Sequence, residues 1–289
     1  VAVTQAAATA KWGGYTLSDY LDRLSNHPLE SSISRLEGDD YPEAVGVALF
    51  MAYEQALEQI NSKYPWQERI AISLLDTLSL LAASGVPTHW LLALDDDSDA
   101  VRDTLSFLKR SSILQESTDG NKTIIHRLQG QVYRESYLNN QEELDKASTH
   151  VTTTLNGISI NQFNSFEQQR QEVHNLIEQA YSITSQNYSH PLFLNSTIIR
   201  IIAITLKYAN ELGMQQLALI LTDSVTKAGE TLGPDHLHVL TSRNYLASTY
   251  RDAGRLDEAI TRFEQILEDF ERVLGPDHPD TLTSRNNLA

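Results

Sequence analysis

The stretch Leu232-Gly-Pro-Asp-His-Leu-His-Val-Leu-Thr-Ser-Arg-Asn-Tyr-Leu-Ala247 returns almost letter for letter as Leu274-Gly-Pro-Asp-His-Pro-Asp-Thr-Leu-Thr-Ser-Arg-Asn-Asn-Leu-Ala289. His236 maps onto His278, a period of 42 residues. A fixed period of that length marks a stacked repeat architecture, in which each unit is one supersecondary element. Between the copies lies Arg255 to Leu274, with apolar residues at 256, 259, 260, 263, 266, 267, 270, 273 and 274. That spacing predicts a helix with one continuous apolar stripe. Gly254 sits where the preceding helix must end in a positive φ. Gly275-Pro276 breaks the next connection, because Pro cannot continue a helix. Each repeat is therefore expected to be two antiparallel helices. One pair cannot bury its apolar faces alone, so neighbours must stack.

Working outward, Gly213 precedes Gly254 by 41 residues, as Ala218 precedes Ala259. A degenerate helix pair thus precedes the clean one, over Ile199 to Leu206 and Gly213 to Ala228, after a break at His190-Pro191. Phe163 to Ile183 has helical spacing, and the Thr-, Ser- and Asn-rich residues 149–162 read as a linker.

Upstream the pattern differs. Ile70, Leu74, Leu75, Leu78 and Leu81 predict a largely buried helix ended by Gly85, and Pro87 to Leu94 a short second one. Ser98 to Lys109 gives a third. Ile113 to Glu116 and Thr123 to His126 are strand-like runs about Asp119-Gly120-Asn121, and Asp-Gly between apolar runs signals a hairpin. Leu128 to Tyr137 supplies a helix after it. Three helices followed by a hairpin predict a winged-helix domain. Before it, Val45 to Ile60 is a clear amphipathic helix, Pro42 stands at its start, and Thr16 with Asp19 forms a capping box. The fold class expected is mainly α: a helical region (1–65), a winged helix with a small hairpin (66–148), and a superhelix of repeats (149–289).

Composition narrows the function. The 289 residues carry 38 acidic and 22 basic side chains, a formal charge of −16, which disfavours nucleic acid and anionic membranes. Cysteine is absent, so disulfides and thiol chemistry are excluded, in keeping with a reducing cytoplasm. No signal peptide or long apolar run is present. The chain starts without Met and stops inside a repeat's first helix, as a fragment of something larger would. No phosphate-binding loop occurs; Gly120-Asn-Lys-Thr lacks the residues that would cradle phosphates, so ATP hydrolysis is not expected. Asp95-Asp-Asp-Ser-Asp imitates a calcium loop, but Ala100 stands where Gly is required, and the cluster reads as support for the next helix's N-terminus.

The 232–289 pattern resembles the kinesin-light-chain type of tetratricopeptide repeat. The order of helical region, winged helix and such repeats resembles the C-terminal part of bacterial NB-ARC signalling NTPases. Ala2 to Leu24, Leu74 to Ala82 and Ile124-Ile-His-Arg-Leu-Gln-Gly-Gln-Val132 carry that likeness. It implies a non-catalytic regulatory part of a nucleotide switch. His126 would sense ADP held by a nucleotide domain absent from this chain, with ATP and ADP as cofactors of the intact protein only. Ile125 and Arg127 replace the Met and Asp of the family's Met-His-Asp motif.

The repeating polar pairs Arg243-Asn244 and Arg285-Asn286 are the candidate contacts for a protein or peptide ligand. An amide both donates and accepts, and Arg can grip a carboxylate through two bonds. Inter-repeat hydrogen bonding is the competing use of these residues. Two other functions remain open: a transcriptional regulator whose winged helix reads DNA, and a free-standing scaffold. Residues 66–137 hold seven Lys/Arg against ten Asp/Glu, which favours the switch over DNA binding. The chain is expected to be monomeric, and no metal is called for.

Overall fold

The computed structural model describes Thr16, Ser18, Asp19 and Asp22 and residues 43–81, 84–137, 140–185 and 196–288. The described part is mainly helical and divides into two compact units, the first running to Gly157 and the second from Ile158. Pro42 and His190-Pro191 lie outside the described residues, as does nearly all of Ala2 to Leu24. The capping box is formed: Thr16 N donates to Asp19 Oδ2 at 3.1 Å, and Asp19 N to Thr16 Oγ1 at 3.2 Å.

The first unit is built on α2 (Pro65–Leu80), which follows α1 (Glu43–Lys63) after Tyr64 alone. Pro65 opens α2, where its missing N–H costs nothing. Apolar residues surround this helix; Leu74 and Leu75 are fully buried and Leu78 is 1% exposed, as expected of a helix covered on all sides. It packs against α1, α4 (Ser98–Arg110), α5 (Arg127–Glu135) and α6 (Gln141–Asn156). A short α3 (Thr88–Leu91) precedes α4, and Asp97 caps α4 by accepting from Ala100 N at 3.0 Å.

The hairpin is present as β2 (Leu114–Glu116) and β3 (Lys122–Ile125), paired antiparallel with Leu114 opposite Ile125. A third strand joins it: β1 (Val86–Pro87) pairs with β3, giving the order β1-β3-β2. Two residues carry no readable alternation, and Pro at a sheet edge forfeits no ladder bond, so this strand was not legible in advance.

Residues 149–157 are not linker. They complete α6, whose Leu144, Ala147, Val151 and Leu155 form one buried stripe. Asn140 caps its start, and the hydroxyls of Ser148, Thr149 and Thr154 each return to the carbonyl four residues back. Such back-bonding satisfies side chains that would otherwise compete with the helix. His150 of α6 also reaches the buried Asp76 of α2, Nδ1 to Oδ2 at 2.7 Å. The other Asp76 oxygen accepts from Tyr133 Oη of α5 at 3.1 Å. The Tyr133 ring meets Tyr53 and Tyr137 edge-on, with centroids 5.2 and 5.6 Å apart. Burial pushes both the Tyr133 and Tyr137 hydroxyls well above their ordinary pKa, so both stay protonated donors.

The second unit begins with α7 (Phe166–Ser185) and continues as α8 (Ser196–Glu211), α9 (Gln215–Ala218), α10 (Thr222–Leu232), α11 (Leu237–Asp252), α12 (Leu256–Leu274) and α13 (Pro279–Leu288). The degenerate pair is α8 with α9 and α10, its second helix broken by a 3₁₀ turn at Leu219–Leu221. The clean pair is α11 and α12, turned at Gly254 with φ +81°. α11 packs on α8, α10 and α12, and α12 on α13. The stripe of α12 is narrower than the sequence suggests. Ala259, Phe263, Ile266 and Phe270 are buried, whereas Leu256 and Ile260 are about half exposed at 57% and 48%. Only the side facing α11 and α13 is covered.

Asp76→Ala is expected to destabilise the first unit by about 2–3 kcal/mol, because it strands a buried hydroxyl and a ring nitrogen. Tyr133→Phe should cost about 1 kcal/mol, and the exposed Asp96→Ala less than about 0.5 kcal/mol. Urea unfolding followed by the fluorescence of the buried Trp90 measures all three, and equal effects of Asp76→Ala and Asp96→Ala would contradict this account.

Candidate functional site

Three histidines share one local geometry. His236 Nδ1 accepts from His238 N at 3.3 Å and opens α11, and His278 Nδ1 accepts from Asp280 N at 3.2 Å and opens α13. His126 does the same for α5, accepting from Leu128 N at 3.3 Å. An imidazole lone pair here fills the N-cap role, satisfying one of the four orphan donors of a helix start. With Nδ1 accepting, the neutral ring carries its proton on Nε2. Burial holds the His126 pKa below the ordinary value. His238 is held low by burial, by His236 and by Arg200.

The recurring Arg and Asn residues do not form one surface. Successive residues of a helix are turned by about 100°, so Arg243 and Asn244 face different neighbours. Asn244 is 8% exposed, and its Oδ1 has no hydrogen-bond partner among the described residues. Arg243 lies in the crevice between α10 and α12, 3.6 Å from Asp269 of α12. Gly229 of α10 makes that possible, since a Cβ there would stand 2.6 Å from Arg243 Nη2. Arg285 pairs with Glu271 at 2.6 Å, and Asn286 is exposed.

The side of α11 left open is elsewhere. His238, Thr241 and Tyr245 are half-buried and Asp252 is exposed, at helical spacing on the side opposite Arg243. The 41-residue step carries this stripe onto the half-buried Thr197, Arg200 and Ile204 of α8 and the exposed Glu211. The 42-residue step carries it onto Asp280, Thr283 and Asn287 of α13. Ser242 Oγ of α11 donates to the Ile199 carbonyl of α8 at 3.2 Å, and the two helices pack side by side. A helical wheel of the repeat would have found this stripe; letter-for-letter identity drew attention to Arg243 and Asn244 instead. The stripe offers hydroxyls, one phenol, an imidazole and mixed charge, which suits a polar backbone more than a cofactor.

Among the described residues there is no group of three or more His, Asp or Glu able to hold a metal ion, and no helix long and apolar enough to cross a membrane.

A histidine whose native pKa lies below its ordinary value binds its proton more weakly when folded. The stability it supports is therefore complete above about pH 6.5 and declines as pH falls through that value. The melting temperature should drop between about pH 7.5 and 5.5. His126→Asn with His238→Asn should flatten that drop, because the amide oxygen introduced by the first substitution keeps a capping acceptor for α5. An unchanged slope in the double variant would show that other groups set it.

Comparison with known proteins agrees with this geometry at the C-terminal end. Neither the curated proteins nor the solved structures contain a match to the chain. The tetratricopeptide repeat family matches residues 238–289, which cover α11, α12 and α13. The chain therefore contains a tetratricopeptide repeat.

Proposed function

We propose that the second unit is a docking platform for a protein or peptide partner, and that the chain is not itself a catalyst. The observation that carries this is the tetratricopeptide repeat at 238–289, a family suggestive of protein–protein interaction, together with the open stripe beside it. In this reading the stripe on α8, α11 and α13 lines the concave face of the superhelix, and Thr241 and Tyr245 contact the partner's backbone. Asn244 and Asn286 flank that stripe as further contacts, and Arg243 and Arg285, on the opposite side of their helices, offer a second contact surface.

We extend the proposal to the first unit as the regulatory part of an NB-ARC-type switch acting in the cytoplasm. Its support is the order of α2, α3, α4, hairpin and α5 with sheet order β1-β3-β2, which suits a winged helix. The winged helix would contact a nucleotide domain in cis. His126, which follows β3 directly, would there turn its Nε2–H toward the phosphate of bound ADP. Reading of DNA is the weaker alternative on specific grounds. On α4, Arg102 is held by Asp99 at 2.9 Å and Lys109 is paired with Glu116, so two of its three basic groups are already engaged. Phosphate contacts supply most non-specific affinity for DNA, and this helix has few to give.

Phage display of random peptides against the purified chain tests the platform. Enriched peptides are expected to bind measurably by fluorescence polarisation, and Thr241→Ala/Tyr245→Ala to weaken them roughly tenfold, the loss of about 1.4 kcal/mol. No enrichment, or binding indifferent to both substitutions, would sink the proposal.

A further inference from the structure

The crevice holding Arg243 is a cavity of about 410 Å³ between α10, α11 and α12. That lies within the range of about 300–1,000 Å³ typical of ligand sites. Val225, Leu246 and Ile266 supply its apolar side, and Arg243 and Arg262 its cationic side. It opens opposite the stripe of Thr241 and Tyr245, so it is a different surface from the docking platform.

Its two arginines line one crevice in a chain of net charge −16. Arg262 has no carboxylate partner among the described residues. It stacks on the Tyr250 ring, 4.4 Å from the centroid, and its Nη2 donates to Tyr250 Oη at 3.4 Å. Stacking fixes the plane of a guanidinium and leaves its other N–H groups free to donate. Arg243 is only loosely paired. Its neighbour Asp269 lies at 3.6 Å and is held more closely by Arg272, at 2.6 Å. Arg272 in turn grips Asp235 through two bonds of 2.7 Å, so Asp269 is shared between the close Arg272 and the more distant Arg243.

Gly229 is the independent sign that the arrangement is built. A glycine inside a helix costs about 1 kcal/mol relative to alanine. Here the missing Cβ is what admits the Arg243 guanidinium.

We propose that this cavity is a carboxylate-binding site, taking an acidic group on an apolar stem. Arg262 and Arg243 hold the carboxylate oxygens, and Val225, Leu246 and Ile266 cover the stem. Two fixed guanidiniums at an apolar wall favour a planar carboxylate over a neutral amide, because charge-assisted bonds are about twice as strong as neutral ones. Glu268 and Asp269, also lining the cavity, disfavour ligands with more than one negative charge close together.

The test is ¹H–¹⁵N NMR of the arginine side chains in the whole chain. Three probes are titrated: the capped tripeptide Gly-Glu-Gly, its Gly-Gln-Gly analogue, and butyrate. Saturable shifts of Arg262 and Arg243 with the Glu peptide but not the Gln peptide are expected. Arg262→Gln should weaken binding roughly tenfold or more, with Arg262→Lys intermediate and Arg102→Gln unchanged. Gly229→Ala should also weaken it, by displacing Arg243. Tighter binding of the Glu peptide than of butyrate assigns the carboxylate to an acidic peptide segment, and the reverse assigns it to a free small acid. No saturable shift at either arginine with both acids overturns the proposal, as does unchanged affinity in a folded Arg262→Gln variant.

Discussion

Everything in the second unit follows from one constraint: a pair of antiparallel helices cannot cover its own apolar faces. α11 shows how the constraint is met. Ser242 donates to the Ile199 carbonyl of α8 at 3.2 Å on one side, while Val239, Leu240, Leu246 and Ala247 are buried among α8, α10 and α12. What remains open on such a helix is a single stripe, and its residues recur at the repeat period. The recognition surface is in this sense the residue of the packing problem. Identity between copies marks turns and packing contacts, and variation along the open stripe is where a partner's chemistry can be met. His238 and Tyr245 become Asp280 and Asn287 one step on, while Leu232-Gly-Pro-Asp-His is kept whole.

The first unit solves burial differently. Its central helix α2 is buried on almost every side and packs on four helical neighbours. One carboxylate, Asp76, sits inside that core. It is tolerated because Tyr133 and His150 satisfy both oxygens from two different helices. The arrangement fixes the register in which α5 and α6 pack, since neither can slide along α2 without stranding a polar group.

Much of this was legible in the residues, and the failures have physical causes. The repeat, its Gly254 turn, α1, α2, α4 and the β2–β3 hairpin were readable because each couples a clear apolar period to a terminating residue. α6 was not, because its Ser and Thr hydroxyls resemble loop composition until the carbonyls four residues back are counted as partners. β1 is too short to carry a period. The recurrence of Arg243-Asn244 could be seen, but not that adjacent residues on a helix face apart, with Gly229 of another helix accommodating the first. His126 carried a sensor role by resemblance. In the fold it also caps α5, as His236 and His278 cap α11 and α13, so one residue type serves three helix starts.

The central claim is that the stripe on α8, α11 and α13 receives a partner while the first unit does not. Hydrogen–deuterium exchange of the chain with and without a selected peptide tests it most directly. The account predicts slowed exchange confined to residues 196–288, strongest along α11. Protection confined to residues 98–125, with the repeat unchanged, would contradict it.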